Sequence, residues 1–255
     1  MPTLADAVLW GMLAALGLLI GAVIAVVFDA KLSHRIVAAN MGFAGGVLIA
    51  VLSIQLMDTA FHGGGPVAAA LGFLFGALLF CAINWRLARR GARHRNRCGD
   101  CVNQPSEIEH KGSGLAIAVG SILDGIPESL VIGLSLLNGG KIGAGLVAGF
   151  FLANVPQGLS SAAGMRKAAR TGRYIFTLWM SVVLTSGAVA ALGFVLLATV
   201  GSTLPATLLA FAAGGVLAML AESIMPESFA DAQPFTGLIT VVGFLVSFLI
   251  IKATG

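Results

Sequence analysis

Ser121-Ile122-Leu123-Asp124-Gly125-Ile126-Pro127-Glu128 sits inside an otherwise uncharged apolar run, 113–137. About 20 mostly apolar residues are enough to cross a bilayer as a helix, so this run is long enough to span while carrying two carboxylates and a proline. Its surroundings decide the reading. Hydrophobic residues make up 58% of the chain and charged residues 10%, against roughly 45–50% and about 25% in a soluble domain. A soluble fold of this length would have too little polar sequence to face water, so the bilayer is the expected solvent. The 34 glycines fit that setting. Inside helices in water they destabilise, whereas in lipid small residues let helix backbones approach closely.

Working outward, eight runs have spanning length: 5–28, 36–60, 67–87, 113–137, 142–165, 174–200, 204–229 and 235–252. Turn chemistry separates them at His62-Gly63-Gly64-Gly65-Pro66, Asn138-Gly139-Gly140, Gly201-Ser202-Thr203-Leu204-Pro205 and Asp231-Ala232-Gln233-Pro234. The basic residues test the count. Lys31 and Arg35 fall between runs 1 and 2. Arg86, Arg89, Arg90, Arg93, Arg95, Arg97 and Lys111 fall between runs 3 and 4, and Arg166, Lys167, Arg170 and Arg173 between runs 5 and 6. Thirteen of the 15 Lys and Arg therefore sit in three alternate loops. Cytoplasmic loops are the basic ones, so both termini are expected outside, in a multi-pass plasma membrane (bacterial inner membrane) protein. The same pattern explains the net charge of +4 without a nucleic-acid partner. Residues 1–10 lack the basic start of a signal peptide, so the first run is expected to be kept as a helix. Residues 1–255 read as one transmembrane domain, with 88–112 a cytoplasmic loop near lipid headgroups. That loop holds Cys98-Gly99-Asp100-Cys101, His94 and His110, either solvated with reduced thiols or catching metal.

An internal repeat is visible. Gly45-Gly46-Val47-Leu48 in run 2 matches Gly214-Gly215-Val216-Leu217 in run 7, and at the same offset Asp58 meets Glu227. The charge pattern makes these runs antiparallel, as in the inverted repeats of secondary transporters. Ionisable groups within a membrane are costly and mark function by default. Asp58, Asp124, Glu128, Glu222 and Glu227 lie in the runs, with no Lys, Arg or His in mid-run to neutralise them. A proton or a bound cation must do so. Asp124 and Glu128 are four apart and share a helix face, and Pro127 cannot bond the Leu123 carbonyl, leaving an oxygen beside them. Asn154 and Gln157 repeat the arrangement in run 5, where Pro156 frees the Leu152 carbonyl. Such a pair of runs, facing each other, suits a divalent cation; the bland alternative is prolines that kink and amides that glue helices.

These motifs resemble the ZIP family of zinc/iron permeases, with this chain a divergent, bacterial-type member. Asp124-Gly125-Ile126-Pro127-Glu128-Ser129 is similar to the family's H-N-x-P-E-G. Ala153-Asn154-Val155-Pro156-Gln157-Gly158 is similar to its polar-polar-x-P-E-G, and Glu222-Ser223-Ile224-Met225-Pro226-Glu227 to its H-E-x-x-P-E, with Ala221 at the His. The resemblance implies an all-α bundle of eight transmembrane helices, an inverted repeat of helices 1–3 and 6–8 around helices 4 and 5, and one bundle sliding against another. It also implies entry of a divalent transition metal (zinc, manganese, iron or similar) into the cytoplasm, as substrate and with no prosthetic group. Metal residues carried over are Asp124, Glu128, Asn154 and Gln157, with Glu222 and Glu227 in helix 7. Gly125 and Ala153 stand at ligand positions without donors, and Ser186-Gly187-Ala188-Val189-Ala190-Ala191 lacks the helix 6 acid. One metal site is therefore expected rather than two, and its oxygen ligands suit harder cations such as manganese or magnesium.

There is no G-x-x-x-x-G-K-[ST] nucleotide loop, so ion gradients are expected to drive transport, and no catalytic residues are expected. Two other readings stay open: a transport-deficient homologue acting as metal sensor or partner, and an intramembrane metalloenzyme. Gly72-x-x-x-Gly76 and Gly145-x-x-x-Gly149 would permit a homodimer. Met57, Met219 and Met225 read as packing residues, and His62 as an exposed side chain at the outer mouth or a first receiver of metal.

Overall fold

The computed structural model describes residues 2–28, 33–89, 113–136, 144–197, 203–229 and 235–254. The turns at 138–140, 201–202 and 231–234, and the His and Cys residues of the polar loop 90–112, lie outside them. Among the described residues every regular element is helical: α1 Leu4–Val27, α2 His34–Ala50, α3 Met57–Leu87, α4 Ser113–Ser135, α5 Ala144–Lys167, α6 Gly172–Leu197, α7 Thr203–Met219, α8 Met225–Phe229 and α9 Thr236–Thr254. π-Helical turns, Val51–Leu56 and Leu220–Ile224, join α2 to α3 and α7 to α8. Six described helical stretches are long and apolar enough to cross a membrane, which makes the chain a multi-pass membrane protein with a helical bundle.

One of the six, Arg35–Leu87, is 53 residues long and contains a break. The sequence places a turn over 62–66, but the helix continues through His62, Gly63 and Gly64. Only Gly65 leaves helical geometry, at φ 77° and ψ 174°. That conformation needs glycine, and Pro66 then starts the next helical segment, where a missing N–H costs nothing. At the other end, Thr3 and Asp6 cap α1 reciprocally, Thr3 N donating to Asp6 Oδ2 at 2.7 Å and Asp6 N to Thr3 Oγ1 at 3.2 Å.

The packing directions follow from the close approaches. Gly42 meets Thr236 and Thr240, and Gly46 meets Thr240 and Phe244, so α2 and α9 run parallel. Gly72 meets Thr207, and Gly76 meets Phe211, so the part of α3 after Gly65 runs parallel to α7. By the same criterion α1 is parallel to α5 (Gly17 at Phe151, Gly21 at Val155) and α4 to α6 (Gly125 at Ser186, Gly133 at Ala190). Gly11 lies against Ala190, while Leu19, Val26, Gly172 and Ile175 line one groove, so α1 and α6 cross antiparallel. A Cβ at Gly46, Gly133, Gly158 or Gly214 would overlap a facing backbone carbonyl, the small-residue packing expected in lipid. The glycines at 72, 76, 145 and 149 are spent in the same way inside the chain, against α7, α9 and Val51.

Burial separates core from lipid-facing helices. In α5, 78% of the spanning window is buried, against 22% in α9 and in Arg35–Leu87. Val67, Leu71, Leu74, Phe75 and Leu78 on α3 and Leu238, Val241, Leu245 and Leu249 on α9 are exposed, as a hydrocarbon solvent permits. α5 is the central helix, and its polar residues point into protein.

Candidate metal centre

α4 and α5 bring the sequence-predicted residues together. Asp124, Glu128, Asn154 and Gln157 are all buried. Asp124, Glu128, Val131 and Ser135 share one face of α4 by their spacing, and Leu146, Phe150, Ala153 and Gln157 one face of α5. Pro127 lies inside α4, and its ring rests against Gly215 on α7, where the nearest ring carbon is 3.3 Å from the position a Cβ would take. Ser129 Oγ donates to the Gly125 carbonyl at 2.7 Å, one turn back.

Three of the four side chains form a relay. Gln157 Nε2 donates to Asn154 Oδ1 at 3.4 Å and to the Ala153 carbonyl at 3.3 Å. Asn154 Nδ2 donates to Glu128 Oε2 at 3.0 Å and to the Ala14 carbonyl of α1 at 3.1 Å. The relay ties α5 to both α4 and α1, and it gives a buried carboxylate a donor rather than a counter-charge. Beside it is a cavity of about 10 Å³ lined by Leu18, Ser121, Asp124, Gly125, Asn154, Gln157 and Trp179. That is room for one water molecule or a bare ion, not for an organic substrate.

Sequence reasoning missed α1 and α6. Ala14 enters through its backbone, which no side-chain pattern reports. Trp179 is buried, its indole N–H has no partner, and its ring lines the cavity; an aromatic in an apolar run gave no signal for this.

The helix 7 acids part company. Glu227 is buried and accepts from Ser160 Oγ of α5 at 2.9 Å. Glu222 is exposed and accepts from Asn84 Nδ2 of α3, next to the reduced Cys81. Asp58 is exposed, 3.4 Å from His62 Nδ1. Met219 lies in the core, and Met57 and Met225 pack against it, as expected of packing residues. Among the described residues no three His, Cys, Asp or Glu side chains gather into a metal-holding group. Any cation held here would depend on two carboxylates supplemented by amide, hydroxyl or carbonyl oxygens.

No protein-family model matches the chain, and no curated protein matches it either.

Proposed function

We propose that the chain is a secondary carrier of a divalent metal ion, with Asp124, Glu128, Asn154 and Gln157 as its transport site. The observation that carries this reading is an ion-sized cavity between α4, α5, α1 and α6, lined by the buried Asp124, Asn154 and Gln157, with the buried Glu128 bonded to Asn154 beside it. Carboxylates held in an apolar bundle are costly and favour a bound cation. Oxygen donors without imidazole favour a hard one, manganese ahead of zinc. The cation would replace the amide hydrogens: Asn154 must release Glu128 for both to ligate, so binding and helix movement are coupled.

The same reading takes Gly65-Pro66 as a reversal of direction, which gives eight spans. The packing supports it. Each parallel pair then joins helices an even number of spans apart, and the antiparallel pair α1 with α6 an odd number. The pairing also exchanges between halves: α1 with α5 answers α6 with α4, and α2 with α9 answers α7 with α3. Both π-helical turns begin six residues after the first glycine of a Gly-Gly pair, Gly45 and Gly214. An inverted repeat of helices 1–3 and 6–8 around helices 4 and 5 accounts for all of this. Arg86 and Arg89, with Arg89 over Trp85, and Arg166, Lys167 and Arg170, with Arg170 over Tyr174, then sit at one membrane face with interfacial aromatics, the cytoplasmic face by the charge rule. These features support the ZIP-like architecture and both termini outside a bacterial inner membrane.

A second reading has one observation in its favour. Both hydrogens of the Asn154 amide are already bonded, as in a cluster that only anchors helices. Metal uptake into proteoliposomes, screened over manganese, zinc, iron, cobalt, cadmium and magnesium, separates the two. Uptake of one metal that vanishes in Asp124→Ala/Glu128→Ala is expected. No uptake of any metal by the unsubstituted protein would leave the anchoring or sensor role.

A further inference from the structure

A second cavity, of about 150 Å³, is lined by Gln55, Leu56, Thr59, Val131, Ser135, Leu146 and Leu209. It has room for several waters. Its walls come from the π-helical turn after α2, the start of α3, α4, α5 and α7. Three of its polar groups are neutral oxygens. Gln55 Oε1 is buried with no hydrogen-bond partner. Ser135 Oγ gives its proton to the Ile132 carbonyl at 2.8 Å, which leaves only lone pairs to offer. The Thr59 hydroxyl is the third.

The register of the helices links this cavity to the candidate metal centre. Ser135 is on the α4 face that carries Asp124 and Glu128, and Leu146 is on the α5 face that carries Gln157. Seven residues separate Glu128 from Ser135, about 10 Å along a helix axis. On those two faces, Val131, itself in the cavity wall, comes between Glu128 and Ser135, and Phe150 between Leu146 and Gln157, both with no exposed surface. On the other side, Asp58 and His62, four apart on one side of their segment, follow the π-helical turn that holds Gln55. The exposed Asp58–His62 pair stands one to two turns from Gln55.

We infer that this cavity is an outer holding station, where a divalent cation still carrying water is taken up by Gln55, Thr59 and Ser135 before it loses its shell to Asp124 and Glu128. A buried orphan acceptor is costly unless something donates to it or is coordinated by it. Lone-pair oxygens repel an anion and match a hard cation and its waters. Neutral ligands also suit a station on a path, because the ion must leave again. The π-helical turn places Gln55 and Leu56 in the cavity wall, a use such turns have at functional sites. Val131 and Phe150 form the apolar layer that must part to admit the ion.

The inference rests on the carrier reading, and the test keeps the two apart. Initial rates of Mn²⁺ and Zn²⁺ uptake are measured on the full-length protein in proteoliposomes for Gln55→Leu, Gln55→Glu and Ser135→Ala. Loss of a ligand used equally in the ground and transition states raises KM and spares kcat. Gln55→Leu is expected to raise KM about three- to tenfold with kcat within about twofold, and Ser135→Ala to raise KM less. Gln55→Glu, which adds charge at the same atom, is expected to lower KM. KM unchanged in both Gln55 variants would overturn the station and leave the carrier standing. No uptake by the unsubstituted protein would overturn both. If Gln55→Leu does not fold, the directions of KM in Gln55→Glu and Ser135→Ala decide.

Discussion

Asp58 and Glu227 occupy the same place in two similar stretches of sequence and meet opposite fates. Each follows a Gly-Gly pair by the same number of residues, and each comes just after a π-helical turn. Glu227 is 3% exposed and bonded to Ser160. The Asp58 side chain is 64% exposed beside His62. The difference lies in what each segment packs against. α8 is applied to α2 and to the central helix α5, whereas the residues after Leu56 lead to the break at Gly65. A similar stretch of sequence carries a π-helical turn twice, and asymmetry in the surroundings buried one acid and left the other exposed.

Three sets of substitutions test this contrast, with the largest effect first. Gly46→Val and Gly214→Val should both fail to give folded protein, because a side chain at either position overlaps a carbonyl of the paired helix. Overpacking a rigid contact costs about 1–3 kcal/mol or more. Detergent melting and size-exclusion profiles read this, and a tolerant Gly214 beside an intolerant Gly46 would show that the α3–α7 and α2–α9 contacts are not alike. Glu227→Ala should cost about 1–3 kcal/mol, removing the bond from Ser160 and leaving a void, while Asp58→Ala should stay within about 0.5 kcal/mol. Equal melting losses for the two would remove the contrast. Ser160→Ala should have the smallest measurable effect, about 0.6 kcal/mol, the average of an interhelical hydrogen bond within a membrane. A larger loss would show Glu227 depending on Ser160 for more than one bond.

The candidate metal centre was largely legible in advance. Asp124 and Glu128 at i, i+4 and Asn154 and Gln157 at i, i+3 declare their faces, because helical spacing fixes which side chains share a side. That Asn154 would bond Glu128 follows only if α4 and α5 face each other, and the Asn154–Glu128 hydrogen bond bears this out. The acids of the seventh run show the limit. Glu222 and Glu227 are five residues apart, and a π-helical turn lies across the first of them. The extra residue in such a turn rotates the next helical segment relative to a continuous α-helix. Spacing alone gave no means to tell that Glu227 would be buried and Glu222 exposed. The glycine faces show a related limit: a small-residue stripe calls for a neighbour, and the sequence does not say whether that neighbour is in the same chain.

Composition and the spacing of apolar runs determined that this is a helical membrane protein. Burying so much apolar sequence leaves hydrocarbon as the only workable solvent, and backbone groups in hydrocarbon must be satisfied within helices. Residue order determined which side chains share a helix face, and so nominated the four polar residues. Tertiary structure decided which faces meet. It brought the Ala14 carbonyl and the Trp179 ring to the candidate site, turned Glu227 inward and Glu222 outward, consumed the glycine stripes between α2 and α9 and between α3 and α7, and left Gln55 facing a cavity. Those outcomes depend on contacts between segments far apart in the chain, whose energies come from complementary surfaces and from no single run of residues.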